Sequence, residues 1–355
     1  MNDSEHVYII GVGAQTSLGR TAATTAAAVR AGISGASEHP TCIDRSGEPM
    51  VVCRAPWLPI ELGGIERFVS LGTDAALAAV ACVTNVTGLR PISMLVGLPE
   101  SRYGRPLGLD AGLTGRLVDR LSQRVAIGQV TALPWGHAAG LVALDQARAS
   151  IQRGELDICL VGGIDSYLEV ETLEWIEDAG QLHSNDNSWG FIPGEAAGFL
   201  LLASPRAAHT LKARALARLL GTGTSREDCI IKTRTVCVGI GLTRALRQAL
   251  VSSPEAAQID QVVCDLNGEP YRADEFAFAS VRLTKHLATP GEFIAPASRW
   301  GDVGAASGPL FAALAVESAS RGYARGPRHV LCASSEGGHR GAAYLAVEFE
   351  GHHCR

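Results

Sequence analysis

Charged and aromatic residues are scarce in this sequence. Charged residues make up 19% of it and aromatic residues 5%, whereas hydrophobic residues make up 46% and glycine occurs 40 times. This composition excludes a disordered chain and favours buried parallel strands joined by glycine-rich turns. Lysine and arginine total 31 against 36 acidic residues, for a net charge of −5, and they are scattered along the chain. A nucleic-acid partner is therefore not expected.

The sequence also lacks a long apolar run and a basic start. No uninterrupted apolar segment reaches the roughly 18 residues that a membrane-spanning helix needs. The first residues, Met1 to His6, include two acidic residues and no lysine or arginine, unlike a secretory signal. We therefore expect a cytoplasmic protein with no membrane span.

Paired cysteine motifs are missing as well. The nine cysteines lie at irregular spacings, with no Cys-x-x-Cys, and several occupy apolar runs such as Ile158-Cys159-Leu160. The cluster His352-His353-Cys354 stands alone at the end of the sequence. This usage predicts buried reduced thiols, with no disulfide framework, no metal site and no cofactor.

The most informative stretch runs from Val130 to Ser204. It predicts a strand, a sharp turn, a helix and a second strand that ends in Gly162-Gly163. A side chain at a sharp strand-to-helix turn lies above the sheet, near the free N–H groups of the helix. Such a turn suits an activated thiol or hydroxyl group. Here His137 holds that position, and Ala138-Ala139 follow it.

Residues 33–64 are rich in proline and glycine and predict an irregular segment, either a surface excursion or part of a dimer or pocket edge. Residues 67–83 predict an amphipathic helix, because apolar residues recur along one face at helical spacing. That face consists of Phe68, Leu71, Ala75, Leu77 and Val80.

Two predicted strands end in Gly-x-Gly. One covers residues 7–11 and leads into a predicted tight turn over residues 12–19, and the other lies within Ala215 to Thr224. The spacing Gly11-x-Gly13 lacks the third glycine of a dinucleotide-binding fingerprint, so we interpret it as structural. Two predicted strands that end in the same Gly-x-Gly pattern indicate an internal duplication. We place the halves at residues 1–211 and 212–355 and expect them to form one compact unit.

Three separated motifs resemble the β-ketoacyl synthases of the thiolase superfamily. Gly140-Leu141 follows the turn, and Gly162-Gly163 ends the next strand. Gly190-Phe191-Ile192-Pro193-Gly194-Glu195-Ala196-Ala197 then enters a further strand, so all three motifs occur in the order of that family. The resemblance implies an α/β fold of the thiolase-like five-layer α/β/α/β/α type, built from two duplicated halves. It also implies that Glu195 is a structural hydrogen-bond acceptor and that the chain dimerises through Val125 to Leu133.

The resemblance further implies an active site of one Cys, two His and one Lys, and this sequence keeps none of them. His137 occupies the Cys position, Asn267 and Asp302 occupy the two His positions, and Ala297 occupies the Lys position. Glu336 stands where the family has a gating Phe. An unpaired carboxylate is costly to bury, which argues against an acyl tunnel. The five residues are therefore interpreted as degenerate active-site positions, and no catalytic residue is expected.

Our first hypothesis is a non-catalytic ketosynthase-like protein that acts as a subunit, scaffold or adaptor. His137, Asp302 and Asn267 would form a hydrogen-bonded cluster that fills the former pocket. The protein would form a homodimer, or a heterodimer with a thiolase-like paralogue. The resemblance implies two possible roles for such a protein. It could pair with an active synthase, as chain-length-factor subunits do, or act as an adaptor in a bacterial type VI secretion effector system.

The alternative is an acyl- or thioester-processing enzyme, of hydrolase or decarboxylase type, that forms no covalent Cys intermediate. A histidine oriented by a carboxylate can act as a general base toward water. His137 would be that base, Asp302 its orienting partner and Asn267 an amide donor. The two hypotheses differ in whether an open channel for a phosphopantetheine arm reaches His137.

Overall fold

The structure is a computed structural model that describes residues 6–83, 90–231, 233, 235–251 and 258–348. The cluster His352-His353-Cys354 and the predicted strand end at Phe349 lie outside the described residues. The strands are β1 (Val7–Thr16), β2 (Ser37–Ile43), β3 (Pro49–Val52), β4 (Ile92–Gly97), β5 (Ile127–Leu133), β6 (Ile158–Ser166), β7 (Glu195–Ala203), β8 (Ala217–Arg226), β9 (Gln261–Cys264), β10 (Arg328–Ser334) and β11 (His339–Val347). The α-helices are α1 (Ala22–Ala31), α2 (Gly64–Val80), α3 (Leu109–Leu121), α4 (Ala139–Gln152), α5 (Val170–Asp178), α6 (Pro205–Thr210), α7 (Ile240–Leu250), α8 (Pro270–Leu283), α9 (Ala297–Trp300) and α10 (Ser307–Ser320).

Nine of these strands form one mixed sheet in the order β5-β4-β6-β7-β1-β8-β11-β10-β9. Strands β4 and β5, β4 and β6, and β9 and β10 pair in parallel, and the other neighbours are antiparallel. The seam between β1 and β8 is short, because only Val7–Ile9 pair with Ala217–Leu219. This seam joins a first half-sheet to a second one.

The two half-sheets repeat one topology. Counted outward from the seam, the first half runs β1-β7-β6-β4-β5 and the second runs β8-β11-β10-β9. Ile294 forms a parallel bridge with Val263 beyond β9, in the place that β5 takes in the first half. The duplicated topology that the sequence predicts is thus present.

The helices complete five layers. α2 and α3 cover the outer face of the first half-sheet, and α7 and α8 cover the outer face of the second. Between the half-sheets, α4 contacts β4 and β6 on one side and β8 and β11 on the other, while α10 packs against α1, α4, β7 and β10. The five-layer thiolase-like arrangement predicted from the sequence is confirmed.

The Gly-x-Gly motifs bring a helix directly against each strand. A Cβ atom on Gly11 would lie 2.0 Å from the carbonyl oxygen of Ala79 in α2, and one on Gly13 would lie 1.9 Å from that of Ala75. The same contact recurs in the second half, at 2.0 and 2.1 Å, between Gly221 and Ala249 and between Gly223 and Ala245 of α7. Any larger residue would push the helix off the strand, so both motifs serve packing.

The prediction for residues 33–64 is wrong in part. The segment contains β2 and β3, which pair with each other in a separate two-stranded sheet. Proline is tolerated there because β2 has a single partner strand, which leaves backbone positions that need no ladder hydrogen bond. Helices α5 and α8 were also missed. Within the described residues, no helix is long and apolar enough to cross a membrane.

Candidate functional site

The chain turns sharply between β5 and α4. Gly136 has a φ of 66°, a left-handed backbone angle that glycine adopts without steric cost. A 3₁₀ turn, Gly136–Ala138, then leads into α4 and carries His137, which is only 4% exposed. The N–H of Ala138 donates to Oγ of Ser335 over 2.8 Å, which ties this turn to the end of β10.

Asp302 lies in the loop before α10 and is held by the Gly190–Ala197 motif. Its N–H donates to the carbonyl of Ile192 (2.7 Å), and its carbonyl accepts from the N–H of Gly194 (2.8 Å). Its Oδ1 accepts from the N–H of Gly304 (2.8 Å), in the 3₁₀ turn that precedes α10. The motif that carries the family resemblance therefore positions Asp302.

His137, Asp302 and Asn267 meet in one buried cluster. Nε2 of His137 lies 2.8 Å from Oδ1 and 2.9 Å from Oδ2 of Asp302. Nδ2 of Asn267, which follows β9, donates to Oδ2 of Asp302 over 2.7 Å. The predicted approach of these three side chains is confirmed.

A fourth member, Arg272, was missed in the sequence. It lies in the first turn of α8, 2% exposed, with Nη2 3.3 and 3.4 Å from the two ring nitrogens of His137. Its Nη1 donates to Asp265 (2.8 Å) and to the carbonyl of Ser334 (2.6 Å), and its Nε donates to Glu269 (3.2 Å). Arg272 therefore links His137 to Asp265 and Glu269 in one buried polar network.

The network continues to Glu336 through Gln181. Nδ2 of Asn267 donates to one oxygen of Glu269 over 2.9 Å. Nε2 of Gln181 donates to the other oxygen of Glu269 (2.9 Å) and to Glu336 (2.8 Å). The carboxylate of Glu336, expected to lack a partner, is thus hydrogen-bonded.

The charges of the central pair reinforce each other. Burial lowers the pKa of His137 and Arg272 lowers it further, but the Asp302 carboxylate outweighs both, so this pKa lies above its ordinary value. Burial alone would raise the pKa of Asp302, and its contacts with His137 and Arg272 instead hold it well below its usual range. The contact therefore shifts both groups toward their ionised forms, imidazolium and carboxylate. An imidazolium has no lone pair with which to act as a base.

Space around His137 is limited on both sides. A first cavity beside His137 has a volume of about 40 Å³, and its polar lining residues include Glu100, Arg102, His137, Gln181 and Glu336. A second cavity beside His137 has a volume of about 10 Å³, and its lining includes Ala297, Asp302 and Phe311. These volumes hold a few water molecules at most, whereas small-molecule pockets usually measure about 300–1,000 Å³.

The five positions singled out in the sequence are therefore brought together. Each lines one of the two cavities or bonds to a residue that does: His137, Asn267, Ala297, Asp302 and Glu336. Their interpretation as a degenerate active site stays a prediction.

Glu195 has the structural role that the resemblance implies. It accepts from Nε and Nη2 of Arg67 (2.6 and 2.7 Å), from the N–H of Ala55 (2.7 Å) and from Oγ of Ser166 (3.0 Å). Every acceptor direction of this buried carboxylate is used, so it joins strands and helix and is not available to a substrate.

Among the described residues, one group of side chains has ligand atoms close enough to hold a metal ion. Atoms of Glu227, Cys237 and Glu275 lie within 4.8 Å of one another. However, Glu227 accepts from the N–H of Gly241 at the start of α7 (2.6 Å), and Glu275 accepts from Nε of the buried Arg340 (2.6 Å). Both carboxylates already have partners, and the absence of a metal site stays a prediction.

The five layers, the duplicated halves and the turn at His137 define a thiolase-like α/β protein. Residues 128–208 match the family model for the Beta-ketoacyl synthase, N-terminal domain. Polyketide synthase ThaG of Burkholderia thailandensis is 31% identical over 122 residues, and polyketide synthase PksL of Bacillus subtilis is 26% identical over 155 residues. These matches cover 32% and 37% of this chain but only 2% and 3% of those relatives, so the chain spans a small part of their length.

Solved structures match over nearly the whole chain. One chain of the ishigamide ketosynthase/chain length factor has a TM-score of 0.79 at 20% identity, and one from AntDE:AntF, a type II PKS acyl-carrier protein in complex with its ketosynthase, has 0.80 at 16%. Each match covers 97% of this chain and 99% of the other. The ketosynthase from module 6 of the Bacillus subtilis bacillaene synthase has 0.78 at 15%, covering 97% and 72%. Residues 128–208 are therefore similar in sequence to β-ketoacyl synthases, and nearly the whole chain shares the fold of these ketosynthase structures.

Proposed function

We propose that this protein is a non-catalytic ketosynthase-like subunit that acts by pairing with another thiolase-like chain. The observation that carries the proposal is the buried ion pair of His137 and Asp302 at the position where a thiol would stand. Both side chains are engaged with each other, and the cavity beside them is too small for a phosphopantetheine arm.

The chemistry of the cluster supports this proposal. Thioester transfer needs a nucleophile, and neither an imidazolium nor a carboxylate held by three donors provides one. The free cysteines in the core do not replace it, since burial raises the pKa of Cys53 and of Cys159 to about 12. A thiol with such a pKa is almost entirely protonated near neutral pH and is a poor nucleophile.

The partner surface that we propose is the outer edge of β5. This strand pairs with β4, and its other edge has no partner among the described residues. Gly128 and Gln129 are exposed, and Val130 to Ala132 are half-buried. An unpaired edge with little charge is a template for a strand of a second chain. That one structural neighbour is a ketosynthase/chain length factor supports pairing with an active paralogue.

The alternative, a thioester-processing enzyme, shares the contact between His137 and Asp302 but requires an open channel. The raised pKa of His137 also opposes a role as general base. The secretion-system adaptor role rests on resemblance alone.

The test combines assembly with activity. We expect a dimer in light scattering, either of the chain alone or after mixing with a ketosynthase that keeps its Cys. The double variant Gln129→Lys/Thr131→Lys places charge on the β5 edge and should weaken the dimer, whereas Gln123→Lys, exposed in the preceding turn, should not.

Activity provides the second half of that test. Malonyl- and acyl-thioesters should turn over at the background rate with the wild type and with His137→Ala. Wild-type turnover that falls about tenfold or more in His137→Ala would favour the enzyme alternative. A monomer under every mixing condition would contradict the subunit proposal.

A further inference from the structure

Two carboxylates and a thiol converge where α7 and α8 cover the second half-sheet. Glu227 directly follows β8, Cys237 lies shortly before α7, and Glu275 lies within α8. One possible ligand atom of each side chain lies within 4.8 Å of those of the other two. None of the three residues lines a cavity beside His137. This cluster is therefore separate from the site around His137.

The three ligand atoms suit a zinc ion. Zn²⁺ accepts both thiolate sulfur and carboxylate oxygen, whereas Mg²⁺ and Ca²⁺ prefer oxygen ligands alone. Ligands of one tetrahedral Zn²⁺ lie about 3.5 Å apart, since each is about 2.0–2.3 Å from the metal. Movements of roughly 1 Å would therefore bring the three atoms into coordinating positions.

The buried side chain of Glu275 has one oxygen without a partner. Glu275 is 1% exposed, and its Oε1 accepts from Nε of Arg340 over 2.6 Å. Its Oε2 accepts no hydrogen bond from any residue that the structure describes. This oxygen is also not fully enclosed by the surrounding atoms. A buried carboxylate oxygen that is reachable and unbonded calls for a cation or a donor.

Glu227 is anchored and also keeps capacity for a ligand. It is 8% exposed, and its Oε2 accepts from the N–H of Gly241 over 2.6 Å. Its Oε1 has only a long contact of 3.5 Å with the N–H of Cys229. An ionised carboxylate can accept about four hydrogen bonds. The existing partners therefore fix the directions of both carboxylates without using all their acceptor sites.

Negative charge exceeds positive charge in the cluster. Within the described part of the chain, Arg340 is the one cation that pairs with either carboxylate, although the start of α7 offsets part of the charge of Glu227. Burial and both carboxylates raise the pKa of Cys237 to about 11, so its thiol is protonated while no cation is bound. A divalent cation together with Arg340 would balance two carboxylates and one thiolate, and the thiol proton would pass to water.

We propose that Glu227, Cys237 and Glu275 bind one Zn²⁺ ion, with water as the fourth ligand. Cys237 is partly exposed, which gives the ion and the water access from solvent. The metal ties the end of β8 to α7 and α8 and so stabilises the second half of the chain. The proposal departs from the expectation, based on cysteine spacing, that the chain binds no metal. It is independent of the proposed subunit function.

Calorimetric titration with Zn²⁺ tests the proposal. The full-length background His352→Ala/His353→Ala/Cys354→Ser removes another group of metal-binding side chains, and a phosphine reductant keeps the thiols reduced. We expect one Zn²⁺ per chain to bind, and Cys237→Ser should weaken that binding about tenfold or more. Cys229→Ser changes a partly exposed thiol of the same segment that lies outside the cluster, and it should leave Zn²⁺ binding unchanged.

The carboxylates are tested by amide variants. Glu227→Gln and Glu275→Gln each remove an anionic ligand but keep an oxygen that can accept from Gly241 or Arg340. Each should weaken Zn²⁺ binding about tenfold or more, and circular dichroism should show an unchanged fold. Cys237→Ser, at a partly exposed position, decides the matter if a buried amide variant fails to fold.

Cobalt reports directly on the sulfur ligand. With Co²⁺ in place of Zn²⁺, a thiolate-to-metal absorption band should appear in the near ultraviolet, vanish in Cys237→Ser and persist in Cys229→Ser. Zn²⁺ should also raise the urea midpoint of the background chain and have much less effect on Cys237→Ser. No Zn²⁺ binding at micromolar concentration, equal binding with and without Cys237→Ser, or a cobalt band that survives Cys237→Ser would overturn the proposal.

Discussion

Both carboxylate oxygens of Asp302 lie within 2.9 Å of Nε2 of His137. The two residues are 165 positions apart and come from opposite halves of the chain, each beside the start of a central helix. The segments that precede α4 and α10 are thus joined by one ion pair, and both of its side chains are almost completely shielded from water.

Removing the carboxylate should destabilise the fold strongly. Asp302→Ala leaves the cations of His137 and Arg272 buried with one counter-ion fewer, and breaking a buried pair from one side costs about 3–5 kcal/mol. Urea denaturation should therefore show a much lower midpoint. Asp74→Ala breaks an exposed pair with Arg20 and should leave the midpoint close to that of the wild type. Equal midpoints for the two variants would mean that the buried pair contributes little.

The same pair predicts how stability changes with pH. The pKa of His137 is raised in the folded state, so its contribution is complete below about 6.5 and is lost as the pH rises through the folded value. The pKa of Asp302 is depressed, so its contribution is complete above about 3.9 and is lost as the pH falls through the folded value.

The stabilising effect should therefore be largest between about pH 4 and pH 6.5. We expect the difference in unfolding free energy between the wild type and His137→Gln/Asp302→Asn to shrink above that range. Urea titrations from pH 4 to pH 9 measure it. A difference that stays constant to pH 9 would show that the imidazole is not charged in the folded protein.

Restoring a thiol should not restore acyl transfer. In His137→Cys the cavity of about 40 Å³ gains only the volume by which a cysteine side chain is smaller than a histidine side chain, which still leaves no room for a phosphopantetheine arm. Asn267, Asp302 and Ala297 also still lack the two imidazoles and the ammonium group of the resembled family. We expect no mass increase after incubation with acyl-thioesters, as measured by intact-protein mass spectrometry. A covalent acyl adduct on Cys at position 137 would show that the pocket opens.

The packing glycines give a prediction with a matched control of opposite sign. In Gly13→Ala the new Cβ would lie 1.9 Å from the carbonyl oxygen of Ala75, so α2 must move, at a cost of about 3 kcal/mol or more. Gly115→Ala lies within α3, where a Cβ meets no atom within 4 Å, and should stabilise the fold by about 0.5–1 kcal/mol. Thermal unfolding measures both changes. Destabilisation by both variants would show that backbone strain rather than the contact with α2 matters.

The sequence predicted the fold well because its strongest signals are local. Apolar strands, glycine turns and the order of three motifs are legible without tertiary contacts, and the role of Glu195 followed from the same frame. The contact between His137 and Asp302 could be predicted because the glycine-containing motifs around both residues match those of the resembled family. The size of the cavity depends on side-chain packing and could not be predicted.

The rest of the charge network was hidden for a physical reason. Arg272, Asp265 and Glu269 are charged residues of a kind that normally lies at the surface, and only their tertiary contacts make them internal. One signal was available, because Glu269 directly precedes the helix that begins with Pro270 and Arg272 follows Glu269 by three residues. That spacing lets the two side chains pair at the start of the helix, beside Asn267.

The central helices are covered on both sides only because the chain contains two halves. α4 packs against β4 and β6 from its own half and against β8 and β11 from the other. A single half would leave that helix face in water, at a cost of roughly 25 cal/mol for each Å² of apolar surface. The interior of the molecule is therefore built like an interface between two half-units, and each half depends on the other to keep its central helix out of water.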